Sequence, residues 1–137
     1  IWQVGKNFHN ELPEDGSIKI FEFIDDMPSA YASSDLVISR AGASTLAEIT
    51  ALGKPAILVP YPYATANHQL LNARELERTG SAVVVLDSEA KETLVPTICK
   101  LLDEPMKLLQ LSINVKKHSK PEAGSIIAKE ILNFLNK

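Results

Sequence analysis

Short apolar runs alternate with helix-length amphipathic stretches along most of this chain, and that rhythm limits its fold more than any other feature. Residues 18–23, Ile-Lys-Ile-Phe-Glu-Phe, alternate in the manner of a strand. Residues 36–39, 56–60 and 81–86 are compact apolar runs of buried-strand length. Helical spacing fills the intervals. It covers residues 45–52 and then 67–79, where Leu70, Leu71, Ala73 and Leu76 recur and Gly80 is a stop signal. Residues 91–102 place Leu94, Ile98, Leu101 and Leu102 on one face, and two further helices are expected over 104–117 and 121–135. Strands alternating with helices predict βαβ units and a parallel sheet. The expected fold class is therefore α/β, a doubly wound parallel sheet in a single domain over residues 1–137. Ligands bind such sheets outside the carboxyl ends of the strands. Residues 24–30, 40–45 and 60–69 are the loops that fall there.

Composition narrows the class. Hydrophobic residues make up 45% and charged residues 23% of the 137, ordinary values for a globular chain. The formal net charge of −3 argues against a dominant nucleic-acid footprint. Cys99 is the single cysteine, which excludes a disulfide framework or a cysteine metal site and fits a reducing compartment. No apolar run approaches the roughly 20 residues that span a bilayer. Ile1-Trp2-Gln3-Val4 reads as the tail of a strand without an initiator Met, so a fragment of a longer protein is expected. The basic run Lys116-Lys117-His118-Ser119-Lys120 reads as a solvated helix end.

Small residues dominate the second loop, Arg40-Ala41-Gly42-Ala43-Ser44-Thr45. Gly42 can take φ > 0 and lets backbone come close to a ligand. The free amides of the following helix would then face whatever binds, an arrangement that favours phosphate. Ser44 and Thr45 add hydroxyl donors or cap the helix. A capped tight turn is the plain alternative, for this is neither G-x-G-x-x-G nor a P-loop. Glu48 follows Thr45 by three residues. Thr45-Leu46-Ala47-Glu48 fits a capping box, and equally a carboxylate that accepts two ribose hydroxyls. In the third loop Gln69 can donate and accept, which suits sugar hydroxyls. His68 beside it reads as a donor or cap rather than a general base. In the first loop, backbone at Phe23 and Ile24 can read a flat base edge, with Met27 packing on the ring. Asp25-Asp26 reads as a helix cap rather than a metal site.

Taken together, "FIDDM", the run from Arg40 to Glu48 and the "H-Q-x-x-N-A" of residues 68–73 resemble the carboxy-terminal domain of the MurG family. These are bacterial UDP-N-acetylglucosamine: undecaprenyl-pyrophosphoryl-N-acetylmuramoyl-pentapeptide transferases. The resemblance runs from about Val4 to Leu86. It implies a Rossmann-like carboxy-terminal half of a GT-B glycosyltransferase, which binds the UDP-GlcNAc donor. It further implies that Phe23, Ile24 and Met27 frame the uracil. Arg40 and Gly42 belong to the phosphate loop, and Ala43, Ser44 and Thr45 line the diphosphate. Glu48 would hold the ribose, and Gln69 with His68 would contact GlcNAc. Ser44 stands where bulkier apolar residues also occur in the family.

The resemblance also implies an enzyme without a required metal or other cofactor, and no DxD triplet is present. It places the full protein at the cytoplasmic face of the bacterial plasma membrane, as a peripheral enzyme of peptidoglycan synthesis. The lipid-linked acceptor and the membrane would be met by an amino-terminal domain outside this sequence. No catalytic residue is expected within these residues, and the fragment is expected to be inactive alone. Alternative readings are the donor-binding part of a dolichol-linked GlcNAc or diacylglycerol glycosyltransferase, or a non-catalytic nucleotide-binding module.

Overall fold

Parallel pairing organises every strand among the described residues. The computed structural model describes residues 1–6, 8 and 16–135. It falls into two compact units, Ile1–Ser34 and Asp35–Lys137.

In the first unit, β1 (Trp2–Gln3) pairs in parallel with β2 (Ile20–Phe21), Trp2 facing Ile20 and Gln3 facing Phe21. Helix α1 (Met27–Ala32) follows. Its N-cap is Asp26, whose carboxylate accepts the Ser29 amide at 3.1 Å, and Pro28 stands in the first turn where its missing N–H costs nothing. The Asp25-Asp26 pair therefore begins a helix, as expected. Hydrogen bonds from Ser29 hold the Asp26 carboxyl below its ordinary range.

The second unit has a three-stranded sheet in the order β3 (Val37–Ser39), β4 (Ala56–Leu58), β5 (Val83–Val84). Ile57 is the central residue, opposite Ile38 on one side and Val83 on the other. Helix α2 (Ala43–Leu52) joins β3 to β4. A 3-10 turn (Thr65–Asn67) and helix α3 (His68–Arg78) join β4 to β5. Helices α4 (Ala90–Leu102), α5 (Pro105–Lys116) and α6 (Ala123–Leu135) complete the chain. The result is α/β with parallel sheets, as the alternation of apolar runs predicts.

The strands are shorter than the apolar runs that mark them. Pro60 has no amide to continue β4. The Ser81 amide bonds the Leu76 carbonyl at the end of α3, which removes it from the sheet. The core lies beneath β4, where Ile57, Val59, Val85, Leu101 and Leu111 pack together. Helix α2 ends at Gly53, which has φ 67°, and a Cβ there would meet the Lys116 chain at 3.2 Å. The left-handed φ favours glycine at that position, and the Lys116 side chain would have to shift by a few tenths of an ångström to admit a Cβ.

The basic run after α5 is more tied down than a solvated helix end. The Lys116 ammonium donates to the Ala51 carbonyl. His118 Nε2 lies 3.0 Å from the Thr79 hydroxyl and 3.1 Å from that of Ser81. By contrast, α6 exposes its apolar residues, Ile126, Ile131 and Phe134 among them.

Candidate functional site

The second and third loops, residues 40–45 and 60–69, leave the carboxyl ends of β3 and β4. Helix α2 opens there, and its start differs from expectation. Gly42 is the N-cap, at φ −68° and ψ 146°, and Leu46 donates the first helical bond to its carbonyl. Gly42 therefore does not use the left-handed region, which corrects that expectation. Thr45 lies inside the helix and is not the N-cap, so Thr45 and Glu48 do not form a capping box. Ser44 is inside as well and does not cap the helix from the N-cap position.

A glycine N-cap has no side chain to satisfy the amides of Ala43, Ser44 and Thr45. Those groups and the helix dipole make this end attractive to an anion. Ala43, Ser44 and Glu48 are exposed, and Thr45 is half-buried. A Cβ on Gly42 would meet nothing closer than the Thr45 hydroxyl at 4.0 Å. Neither backbone strain nor crowding within the described residues demands glycine here. Alanine is nonetheless a poorer N-cap than glycine, so Gly42→Ala is expected to cost about 0.5–1 kcal/mol in urea unfolding.

Arg40 closes the same edge. Its Nη1 lies 2.5 Å from Asp87 Oδ1, 3.2 Å from the Val59 carbonyl and 3.4 Å from that of Pro60. Its guanidinium carbon sits 5.6 Å from the centre of the Tyr61 ring. Arg40 thus ties together the ends of all three strands of this sheet. Nothing local in the sequence marks Asp87 as part of this edge.

The third loop is bent sharply before α3. Ala66 and Asn67 have φ of 50° and 54°, left-handed values that are uncommon outside glycine. The bend returns Gln69 to the loop's beginning, where its Oε1 accepts the Tyr61 amide at 3.0 Å. The amino group of the Gln69 carboxamide remains as a donor. His68 Nδ1 lies 2.6 Å from the Thr65 carbonyl. A carbonyl only accepts, so Nδ1 carries the proton and a neutral His68 presents Nε2 as an acceptor. Asn72 stands one helical turn beyond Gln69. It lines an open groove of about 430 Å³ with Ala43, Leu46, Thr50 and Leu76. Asn72 is the asparagine of the "H-Q-x-x-N-A" motif, and its i, i+3 spacing from Gln69 is the sequence signal that puts it on the same helix face.

The first loop belongs to the first unit. Phe23 and Ile24 line an open pocket of about 460 Å³ with Phe21, Asp26 and Ser29. Met27 is half-buried in the first turn of α1 and is not among its lining residues. The Ile24 amide donates to Gln3 Oε1 at 2.9 Å. A ligand edge read by the Ile24 backbone would meet its carbonyl, or displace Gln3. Among the described residues no cluster of three His, Cys, Asp or Glu side chains is placed to hold a metal ion. No described helix is long and apolar enough to cross a membrane.

Comparison with known proteins follows the same lines. The glycosyltransferase family 28 C-terminal domain matches residues 1–126. A UDP-N-acetylglucosamine--N-acetylmuramyl-(pentapeptide) pyrophosphoryl-undecaprenol N-acetylglucosamine transferase of Halothermothrix orenii is 53% identical over 110 residues, covering 80% of this chain and 30% of that protein. The protein of the same name from Caldicellulosiruptor saccharolyticus is 45% identical over 131 residues, covering 95% of this chain and 35% of the relative. The crystal structure of Acinetobacter baumannii MurG superimposes with a TM-score of 0.78 at 31% identity, over 85% of this chain and 35% of that one. The chain spans about a third of the length of the relatives it matches. On its sequence match and its fold, this chain belongs to the glycosyltransferase family 28 C-terminal domain family.

Proposed function

We propose that this chain is the donor-binding part of a transferase that moves GlcNAc from UDP-GlcNAc to undecaprenyl-pyrophosphoryl N-acetylmuramoyl-pentapeptide. The observation that carries the reading is the uncapped start of α2. It stands at the same strand edge as the Gln69 carboxamide, in a chain whose relatives bear that transferase name. In this reading the amides of Ala43, Ser44 and Thr45 receive the diphosphate, and Glu48 accepts the two ribose hydroxyls. Gln69 donates to GlcNAc, with His68 and Asn72 beside it. Phe23, Ile24 and Met27 frame the uracil. Arg40 and Gly42 shape the loop that leads into α2.

The reaction forms a bond from the muramoyl C4 oxygen to the anomeric carbon of GlcNAc and breaks the bond from that carbon to the diphosphate. The configuration inverts, and UDP leaves with the bonding electron pair. Positioned amides at the start of α2 stabilise that charge as it develops. In this reading the reaction requires no metal ion. The acceptor hydroxyl and the group that takes its proton lie with other parts of the full protein. So does contact with the cytoplasmic face of the plasma membrane, where the protein would act in peptidoglycan synthesis.

Calorimetric titration of the protein with UDP-GlcNAc and UDP-glucose tests this. Saturable binding, tighter for UDP-GlcNAc, is expected. A folded protein that binds neither, or prefers UDP-glucose, would overturn the assignment. Gly42→Ala sharpens the test. In this reading its methyl group would crowd the helix start that the diphosphate approaches, so an approximately fivefold weaker Kd is expected with no more than about 1 kcal/mol of stability lost.

A further inference from the structure

We propose that Asp87 is a positioning residue for the donor sugar, holding residues 60–67 through Arg40 in the shape that presents Gln69. The inference rests on the donor-binding reading above.

Three observations converge on it. First, the guanidinium of Arg40 connects Asp87 to the carbonyls of Val59 and Pro60, where the loop leaves β4. Asp87 is the anion among these partners. Without it the arginine would face two neutral carbonyls and the Tyr61 ring. Second, the loop closes on itself through the Tyr61 amide and Gln69 Oε1. That bond sets which end of the carboxamide faces outward. Third, Ala66 and Asn67 hold left-handed backbone inside the loop. Such conformations persist where the surrounding structure enforces them. Anchored at Val59 and Pro60 and closed by Gln69, the loop has one shape. Freed at its base, it relaxes and the carboxamide turns away.

A different role for Arg40 makes an opposite prediction. If its guanidinium were a direct diphosphate ligand, Asp87 would compete with the donor for it. Removing Asp87 would then tighten binding of UDP itself.

The experiment compares the protein with its Asp87→Ala and Asp87→Glu variants. Kd is measured for UDP and for UDP-GlcNAc, and amide exchange is followed at Tyr61. The side chains of Arg40 and Asp87 are 50% and 38% exposed, so the effect is that of a partly solvated pair. Asp87→Ala is expected to weaken UDP-GlcNAc binding about three- to fivefold, with UDP unchanged. Exchange at the Tyr61 amide should rise by a similar factor, about three- to fivefold. Asp87→Glu keeps the charge and should restore at least half of each effect. Equal weakening of UDP and UDP-GlcNAc, or tighter UDP binding, would overturn the proposal. So would an unchanged exchange rate at Tyr61 in Asp87→Ala. That last measurement needs no ligand. If the parent binds neither UDP nor UDP-GlcNAc, the donor reading falls, while the Tyr61 rate still decides the role of Asp87.

Discussion

Glu48→Ala is expected to weaken UDP-GlcNAc binding about 10- to 100-fold and to move the melting midpoint by no more than about 2 °C. The two halves have separate causes. Glu48 is exposed, six positions into α2 from the Gly42 cap, so it is not a capping-box acid. Alanine is also a better helix former than glutamate. The fold therefore loses little. Ligand binding is different if the carboxylate accepts two ribose hydroxyls, because hydrogen bonds to a charged group are worth about 1.5–3 kcal/mol. Glu48→Gln keeps the length and one acceptor oxygen, and should fall between parent and alanine. A uridine diphosphate lacking the ribose 2′-hydroxyl provides the check from the ligand side. It should bind the parent more weakly, and Glu48→Ala with no further loss. Equal affinity of parent and Glu48→Ala for UDP-GlcNAc would remove Glu48 from the site. A large drop in melting midpoint would make its role structural.

What the sequence shows about this fold is local, and what it hides is not. The βαβ alternation follows from hydrophobic period alone, because a strand or helix buries the residues that its own geometry points inward. The loop between β3 and α2 was legible for the same reason, as a group of small residues between two periodic segments. The role of Gly42 was harder to read. Its type suggests a left-handed turn, yet the left-handed positions of this edge are Ala66 and Asn67. Arg40 and Asp87 stand 47 residues apart and meet only when β3, β4 and β5 align their ends. No spacing rule connects them. His118 and Thr79, 39 residues apart, are a second such pair. From the sequence the basic run looked solvated, because its partners come from the end of α3 and from Ala51 on α2. Pattern thus finds elements and loops, while the side chains that brace the site emerge from tertiary packing.

That packing can be tested at its centre. Ile57→Ala is expected to lower unfolding free energy by about 2–5 kcal/mol in urea, a large share of the roughly 5–15 kcal/mol of an ordinary domain. Ile57 is fully buried, with a strand on either side and Val59, Val85, Leu101 and Leu111 around it. Alanine would remove three carbons from a close-packed core and leave a cavity. Ile38, its neighbour on β3, is 45% exposed, and Ile38→Ala should cost less than half as much. The comparison bears on function because β4 ends at the carbonyls that Arg40 grips. If Ile57 acts only through global stability, UDP-GlcNAc at 100 times its Kd should add about 2.7 kcal/mol to parent and variant alike. A smaller gain in the variant at that same multiple of the parent Kd would mean that the strand end itself has loosened and that binding is impaired in the folded state. A loss below about 1 kcal/mol for Ile57→Ala would contradict the core assigned here.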